Sequence, residues 1–211
     1  MYVCWSVKGG SGTTVVAAAL SLLLSRTHPT VLVDLCGDAP AALGLPEPSG
    51  PGVLDWMSSS TSGADALWRL AVPARDAMRV LPAGTSAGHT PAHRWSALGD
   101  ALSTHSDSVV VDAGVGSPPD GLLPEFATSL LVVRPCYLSV RRAVATMARP
   151  TGIVLVTEPG RALGARDVER AIGAPVVAEV PYDPAVARSV DAGLLATRLP
   201  GSIARPLRGA A

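Results

Sequence analysis

The sequence predicts a doubly wound α/β domain, a mainly parallel sheet of about seven strands with helices on both faces. Three observations carry this expectation. The apolar runs are continuous rather than alternating, as in strands buried on both faces. Segments of helical length and periodicity separate them. A glycine-rich turn joins the first run to the first helix. With 211 residues, 48% of them hydrophobic and 16% charged, the chain can build one domain around a real core.

The elements follow in order. "MYVCWSV" (1–7) is a β-rich run leading into glycines, and "TTVVAAALSLLLSR" (13–26) is a helix. "TVLVDL" (30–35) is a second run carrying Asp34, and "MRVLPAG" (78–84) a third, stopped by Pro-Ala-Gly. Between them, 44–77 is rich in Pro, Gly and Ser and reads as loop with short helices around 54–57 and 64–70. "HRWSALGDALSTH" (93–105) is helical; "DSVVVDAG" (107–114) is a fourth run, ending around Asp112. "TSLLVVRP" (128–135) is a fifth, followed by a helix over 138–148. "GIVLVTEPG" (152–160) is a sixth, followed by a helix over 164–173, and "APVVAEVPYD" (174–183) a seventh, followed by a helix over 184–195. Segments 84–93 and 114–125 read as further loops. Residues 1–199 make a single domain, and 200–211, without helical periodicity, are set apart as a tail.

Composition narrows the function classes. Seventeen basic and 17 acidic residues leave a formal net charge of zero, so long-range attraction to nucleic acid or anionic lipid is not expected. Cys4, Cys36 and Cys136 have no metal spacing and read as buried, reduced thiols of a cytosolic protein. No basic start precedes an apolar core and cleavage site. The longest apolar stretch, 15–24, is about half a membrane span and reads as a buried helix. No Ser/His/Asp nucleophile elbow is present. His89, His93 and His105 read as loop histidines without partners at ligand spacing.

The loop "KGGSGTT" (8–14) carries the chemistry. A glycine turn between strand and helix aims backbone N–H groups, and the positive end of the helix dipole, at a phosphate. Gly9, Gly10 and Gly12 permit the tight path, and Thr14 offers a hydroxyl to Mg²⁺. An ordinary phosphate loop ends in Gly-Lys-Ser/Thr; here Thr13 stands in the lysine's place. The only lysine among the 17 basic residues is Lys8, at the front of the loop. Lys8–Thr14, Asp34–Asp38, Asp112–Gly116 and Pro181–Asp183 all follow strands, so they converge on the carboxyl edge of the sheet, where such folds bind ligands. Simpler roles stand beside these. Asp34 can accept hydrogen bonds from a turn, Asp38 can cap a helix over 39–43, and Asp112 can merely end a strand. Arg141 and Arg142 read as a solvated pair; Trp56 and Trp68 either pack the loop-rich segment or face a partner.

"KGGSGTT" resembles the deviant phosphate loop of the MinD/ParA family, Lys-Gly-Gly-x-Gly-Lys-Thr/Ser-Thr. The likeness continues in order. "VLVDL" with Asp38 resembles the family's second strand and first switch, and "VVVDAG" its Walker B region. "LLVVRPCYLSVRRA" is similar to its strand–loop–helix, and "VPYDPAVARSVDAG" to its late segment near the adenine. The resemblance implies ATP or ADP and Mg²⁺ as cofactors, held by Gly9, Gly10, Ser11, Gly12, Thr13 and Thr14. It gives Lys8 the role of a lysine reaching across a two-fold dimer to the partner's phosphates. It makes Asp38 a switch residue that positions the attacking water. Thr14, Asp34 and Asp112 become the metal set, with Asp112 acting through water, and Thr157, Glu158, Pro181 and Asp183 lie near the adenine.

Thr13 is the departure. In this the loop is most similar to the CpaE/TadZ group, whose loops often lack that lysine and which act in polar localisation and assembly of Tad-type pili. Loss of a cation facing the triphosphate implies ATP binding with slow or absent hydrolysis. The expected function is a nucleotide-dependent homodimer. It acts in the cytoplasm as a positioning or assembly factor, recruited by a protein partner to a pole, septum or inner membrane face, with secretion, pilus or division machinery as candidates. The alternatives are a non-enzymatic scaffold with a decayed site and a DNA-partition ATPase. The scattered arginines speak against the latter, apart from a small patch at Arg198, Arg205 and Arg208.

Overall fold

A computed structural model describes residues 1–86 and 90–210; His89 lies outside the described residues. The chain runs β1 (Tyr2–Ser6), α1 (Thr13–Leu24), β2 (Thr30–Asp34), α2 (Ala39–Leu43), α3 (Val53–Ser58), α4 (Ala64–Trp68), β3 (Val72–Arg75) and β4 (Met78–Leu81). It continues with α5 (Ala92–Ser103), β5 (Ser108–Val115), β6 (Thr128–Val133), α6 (Tyr137–Ala145), β7 (Gly152–Thr157), α7 (Ala165–Ile172), β8 (Val176–Pro181), α8 (Pro184–Asp191) and α9 (Gly201–Leu207).

The strands form one sheet in the order β3-β4-β2-β5-β1-β6-β7-β8. Every neighbouring pair is parallel except β3 and β4. The fold is therefore the doubly wound α/β domain that the apolar runs predict, with eight strands instead of about seven. The extra strand is β3, "VPAR", which alternates half-buried and exposed positions and carries Pro73. Proline is tolerated in a strand at a sheet edge, where β3 lies.

Alternation along β1 shows the layering. Cys4 packs into one core with α1 and α9; Val3 and Trp5 face the opposite side, under α3–α5 and α6–α7 respectively. Helix α1 is buried through most of its length. The indole of Trp5 donates to the Ser129 hydroxyl at 2.9 Å.

The tail differs from expectation. Residues 201–207 form α9, and Ile203, Ala204 and Leu207 join the core beside α1. Pro200 precedes the helix and Pro206 lies inside it, a composition that hides a short helix from periodicity. Cys36 also departs from the buried-thiol reading: it is exposed, whereas Cys4 is buried and Cys136 intermediate. Among the described residues, no helix is long and apolar enough to cross a membrane.

Candidate functional site

Strand β1 lies inside the sheet between β5 and β6, so the loop leaving it emerges at the middle of the carboxyl edge. Gly10 and Gly12 have φ of +75° and +92°, left-handed values that L side chains rarely adopt. Gly12 immediately precedes α1, and its carbonyl accepts the Val16 N–H at 2.9 Å. Side chains secure the loop from below. The Ser11 hydroxyl donates to the Lys8 carbonyl at 2.8 Å, and the Ser6 hydroxyl bridges the carbonyls of Lys8 and Gly114, both at 3.2 Å. Above the loop the space is open, because a Cβ placed on Gly9, Gly10 or Gly12 would meet nothing within 4 Å. This space is part of a cavity of about 370 Å³ walled by Gly9–Val15 together with Ser6, Cys36, Asp38, Gly114 and Val115.

Thr13 and Thr14 both border that cavity, and Thr13 is only 7% exposed. Lys8 does not border it. Its ammonium lies 3.5 Å from the Gly9 carbonyl, and among the described residues no carboxylate comes within ion-pair distance of it. The loop's own cation is thus not part of the wall of that cavity.

The three carboxylates play different parts. Asp34, at the end of β2, accepts the N–H groups of Cys36 (2.9 Å), Gly37 (2.8 Å) and Ala39 (3.0 Å), so it builds the turn into α2. Burial is the largest influence on its carboxyl and raises its pKa, against the three amides that lower it. Asp38 occupies the residue before α2, but its side chain makes no capping bond and borders the loop cavity instead. Asp112, paired in register with Asp34 across β2 and β5, is fully buried. Its Oδ1 accepts the Gly114 N–H at 3.1 Å, while Oδ2 has no hydrogen-bond partner among the described residues. Burial pushes its carboxyl up to about 6; the nearby Thr14 hydroxyl, which makes no hydrogen bond of good geometry to it, and the Gly114 amide oppose this, and the charges of Asp34 and Asp38 add to it. A buried, unpaired carboxylate oxygen beside the Thr14 hydroxyl has the chemistry to receive a divalent cation.

A second cavity, about 270 Å³ and mostly apolar, adjoins the first at the loop. It shares Ser11, Gly12 and Val15 with the first and is closed by Val156, Val180, Pro181, Tyr182, Val186 and Ile203, among others. Pro181 and Asp183 border it, but Thr157 and Glu158 do not. The Thr157 carbonyl accepts the Tyr182 N–H at 2.7 Å, and Glu158 pairs with Arg134 at 2.8 Å and with Arg161. The Asp183 carboxylate is engaged in structure. It caps α8 by accepting the Ala185 N–H (2.8 Å) and accepts the Ser202 hydroxyl (2.6 Å).

Other residues singled out from the sequence find simpler partners. Trp56 packs under the Arg94 guanidinium, 3.9 Å from its ring centre, and Trp68 stacks on His105 at 3.7 Å, so both pack the loop-rich segment. His105 does have partners, Asp107 at 3.4 Å and Arg79 at 3.3 Å. Arg142 reaches back to the Val7 carbonyl at 3.5 Å. Sequence reasoning placed Cys36, Gly114 and Val115 at this edge only within the ranges 34–38 and 112–116, without a role, and passed over Ser6 at the cavity. The signal for Cys36 was its place two residues after Asp34; Gly114 and Val115 are brought in by the β1–β5 pairing.

No protein-family model and no curated protein matches the sequence. Solved structures do. A ParA family ATPase from Chlorobium tepidum superposes with a TM-score of 0.77 at 19% identity, over 98% of this chain and 94% of that one. The septum site-determining protein MinD from Pyrococcus horikoshii, complexed with Mg-ADP, gives 0.75 at 17% identity, over 99% and 93%. The cell division ATPase MinD of Pyrococcus furiosus gives 0.75 at 20%, over 100% and 98%. The chain has the ParA/MinD fold. At these identities the likeness is one of architecture, and the roles of individual residues rest on the geometry above.

Proposed function

We infer that the protein binds ATP or ADP with Mg²⁺ at the β1–α1 loop and works as a nucleotide-dependent homodimer of the ParA/MinD kind. The observation that carries this is the pair of cavities meeting at Ser11, Gly12 and Val15. One is rimmed by amides, the other is apolar, and a nucleotide has a polyphosphate at one end and a base at the other. In this reading the amides of Gly9–Thr14 and the N-terminus of α1 take the phosphates. The Thr14 hydroxyl and the free Asp112 oxygen hold the Mg²⁺ side, with Asp34 shaping the turn beside it, and Mg²⁺ supplies charge neutralisation there. Pro181 and Asp183 flank the base. Lys8, which does not line its own cavity, supplies a cation to the partner's phosphates. Val115, 62% exposed beside the cavity, is an apolar residue that a second copy would cover.

Thr13 supplies no positive charge where phosphate loops usually carry one, so hydrolysis is slow or absent, with Asp38 orienting whatever water attacks. A switch that holds nucleotide longer than it spends it suits a positioning or assembly factor, one that a protein partner brings to a pole, septum or secretion complex. Titration with a fluorescent ATP analogue, with and without Mg²⁺, tests the reading; absence of saturable binding at millimolar ATP would overturn it. Sedimentation then tests the dimer. ATP should drive self-association of the wild type and fail to do so for Lys8→Ala. A second reading, a scaffold whose site has decayed, is favoured by Thr13 alone; it requires a dimer indifferent to ATP and to that substitution.

A further inference from the structure

We propose that Asp34, Cys36 and Asp112 form a binding site for a thiophilic divalent cation of the zinc, cobalt or cadmium type, with the Cys36 sulfur as a direct ligand. The ligand atoms of these three residues all lie within 4.8 Å of one another. The fold brings them together: β2 and β5 are neighbours with Asp34 opposite Asp112, and the chain turns just beyond Asp34 to place Cys36 over the end of β5. The sulfur sits 3.7 Å from the Asp112 carbonyl. It fills the space that a side chain at Gly114 would need, since a Cβ there would come within 2.2 Å of it.

Two features say that this cluster has a use for a cation. Asp112 is fully buried, and its Oδ2 has no hydrogen-bond partner among the described residues. A charged oxygen left in that state is costly unless a cation meets it. Asp34 Oδ2 accepts only the Ala39 amide, which leaves it a second lone pair.

Cation type follows from the sulfur. Magnesium demands oxygen ligands in near-octahedral array and keeps several waters. Zinc and its chemical analogues accept thiolate, carboxylate and water together in four-coordinate sites. With bonds of about 2.0–2.3 Å, ligand atoms around such an ion stand about 3.5 Å apart. A side-chain rotation of exposed Cys36 can close the remaining gap. Binding deprotonates the thiol, and its proton goes to solvent. Three protein ligands leave one position, and Cys36 borders the loop cavity, so water or a phosphate oxygen can complete the shell from there. The inference deepens the nucleotide-site reading and rests on it for any link to phosphate; it shares the Asp112 oxygen with the Mg²⁺ role above, so the two ions are alternatives there, and binding of the thiophilic ion itself needs no nucleotide.

The test is therefore made without nucleotide, by titrating the reduced protein with Co²⁺. A sulfur-to-cobalt charge-transfer band and strong tetrahedral visible bands should grow to one equivalent, vanish in Cys36→Ser and persist in Cys136→Ser. In the wild type, Zn²⁺ should slow alkylation of Cys36 by at least about tenfold while Cys136 continues to react, as read by mass spectrometry. This second measurement holds if Cys36→Ser fails to fold. A cobalt spectrum with no charge-transfer band, a band that survives Cys36→Ser or is lost in Cys136→Ser, or Cys36 alkylation indifferent to Zn²⁺ would each overturn the proposal. Failure of the nucleotide-site reading would show separately, in the Mg²⁺–ATP titration.

Discussion

The Ala39 N–H donates to the carboxylate of Asp34 at 3.0 Å, although Asp38 stands next to it in the chain and makes no side-chain cap. The two aspartates should therefore differ sharply when truncated. Asp34→Ala strips three amides of a charged acceptor and should cost about 3 kcal/mol. Asp38→Ala touches no such bond and should change stability by less than about 0.5 kcal/mol. Urea unfolding of both variants without ligand checks the contrast; equal losses would mean that Asp38 has a structural role.

Gly12→Ala separates folding from binding. Its Cβ would meet no atom, so the penalty to the free protein is the left-handed backbone alone, about 1 kcal/mol. That methyl would, however, alter the loop whose amides are to hold phosphate. We expect nucleotide affinity to fall by more than about tenfold, a loss exceeding 1.4 kcal/mol. Thermal melts and the fluorescent titration together decide it, and parallel losses would argue that the loop is only a turn.

Thr13→Lys tests whether the rest of the site is competent. Thr13 borders the loop cavity, so a lysine there can extend its ammonium into the same space. Phosphoryl transfer depends on such charge, and a gain of at least about tenfold in phosphate release is expected. Continued inactivity with tight ATP binding would place the defect elsewhere.

The acid limb of stability should report on Asp183. The Ser202 hydroxyl, and after it the Ala185 amide, hold its carboxyl below the ordinary value of 3.8. A depressed carboxyl stabilises the fold at pH above that ordinary value and loses its effect as pH falls through the lower native one. Asp183→Asn should thus lower Tm near neutrality and narrow the difference from wild type in strong acid. A Tm difference that is constant with pH would contradict this.

How much of this was legible in the sequence depends on the kind of signal. The interior strands announced themselves because a strand buried on both faces is mostly apolar, as in "TVLVD" and "SLLVV". The glycine loop was legible because tight left-handed turns demand that residue, and Gly10 and Gly12 have such φ values. Strand β3 was hidden because an edge strand with Pro73 shows no continuous apolar run. Helix α9 was hidden by its short length and its prolines. Within the site, the competition between Asp34 and Asp38 for one amide is settled by the path of the turn, which composition does not encode. The approach of Cys36 to Asp112 spans 76 positions and exists only through strand register.

Ile203 borders the apolar cavity while its neighbour Ala204 and, a turn later, Leu207 sit in the core beside α1. One short segment late in the chain is thus both roof and keystone. Prising 201–207 away would strip a side from the chamber and unseat packing against the very helix whose first turn faces the phosphate loop. A ligand in that chamber would depend on the docking of that segment, and a tag or fusion that crowds it would disturb the packing of α1.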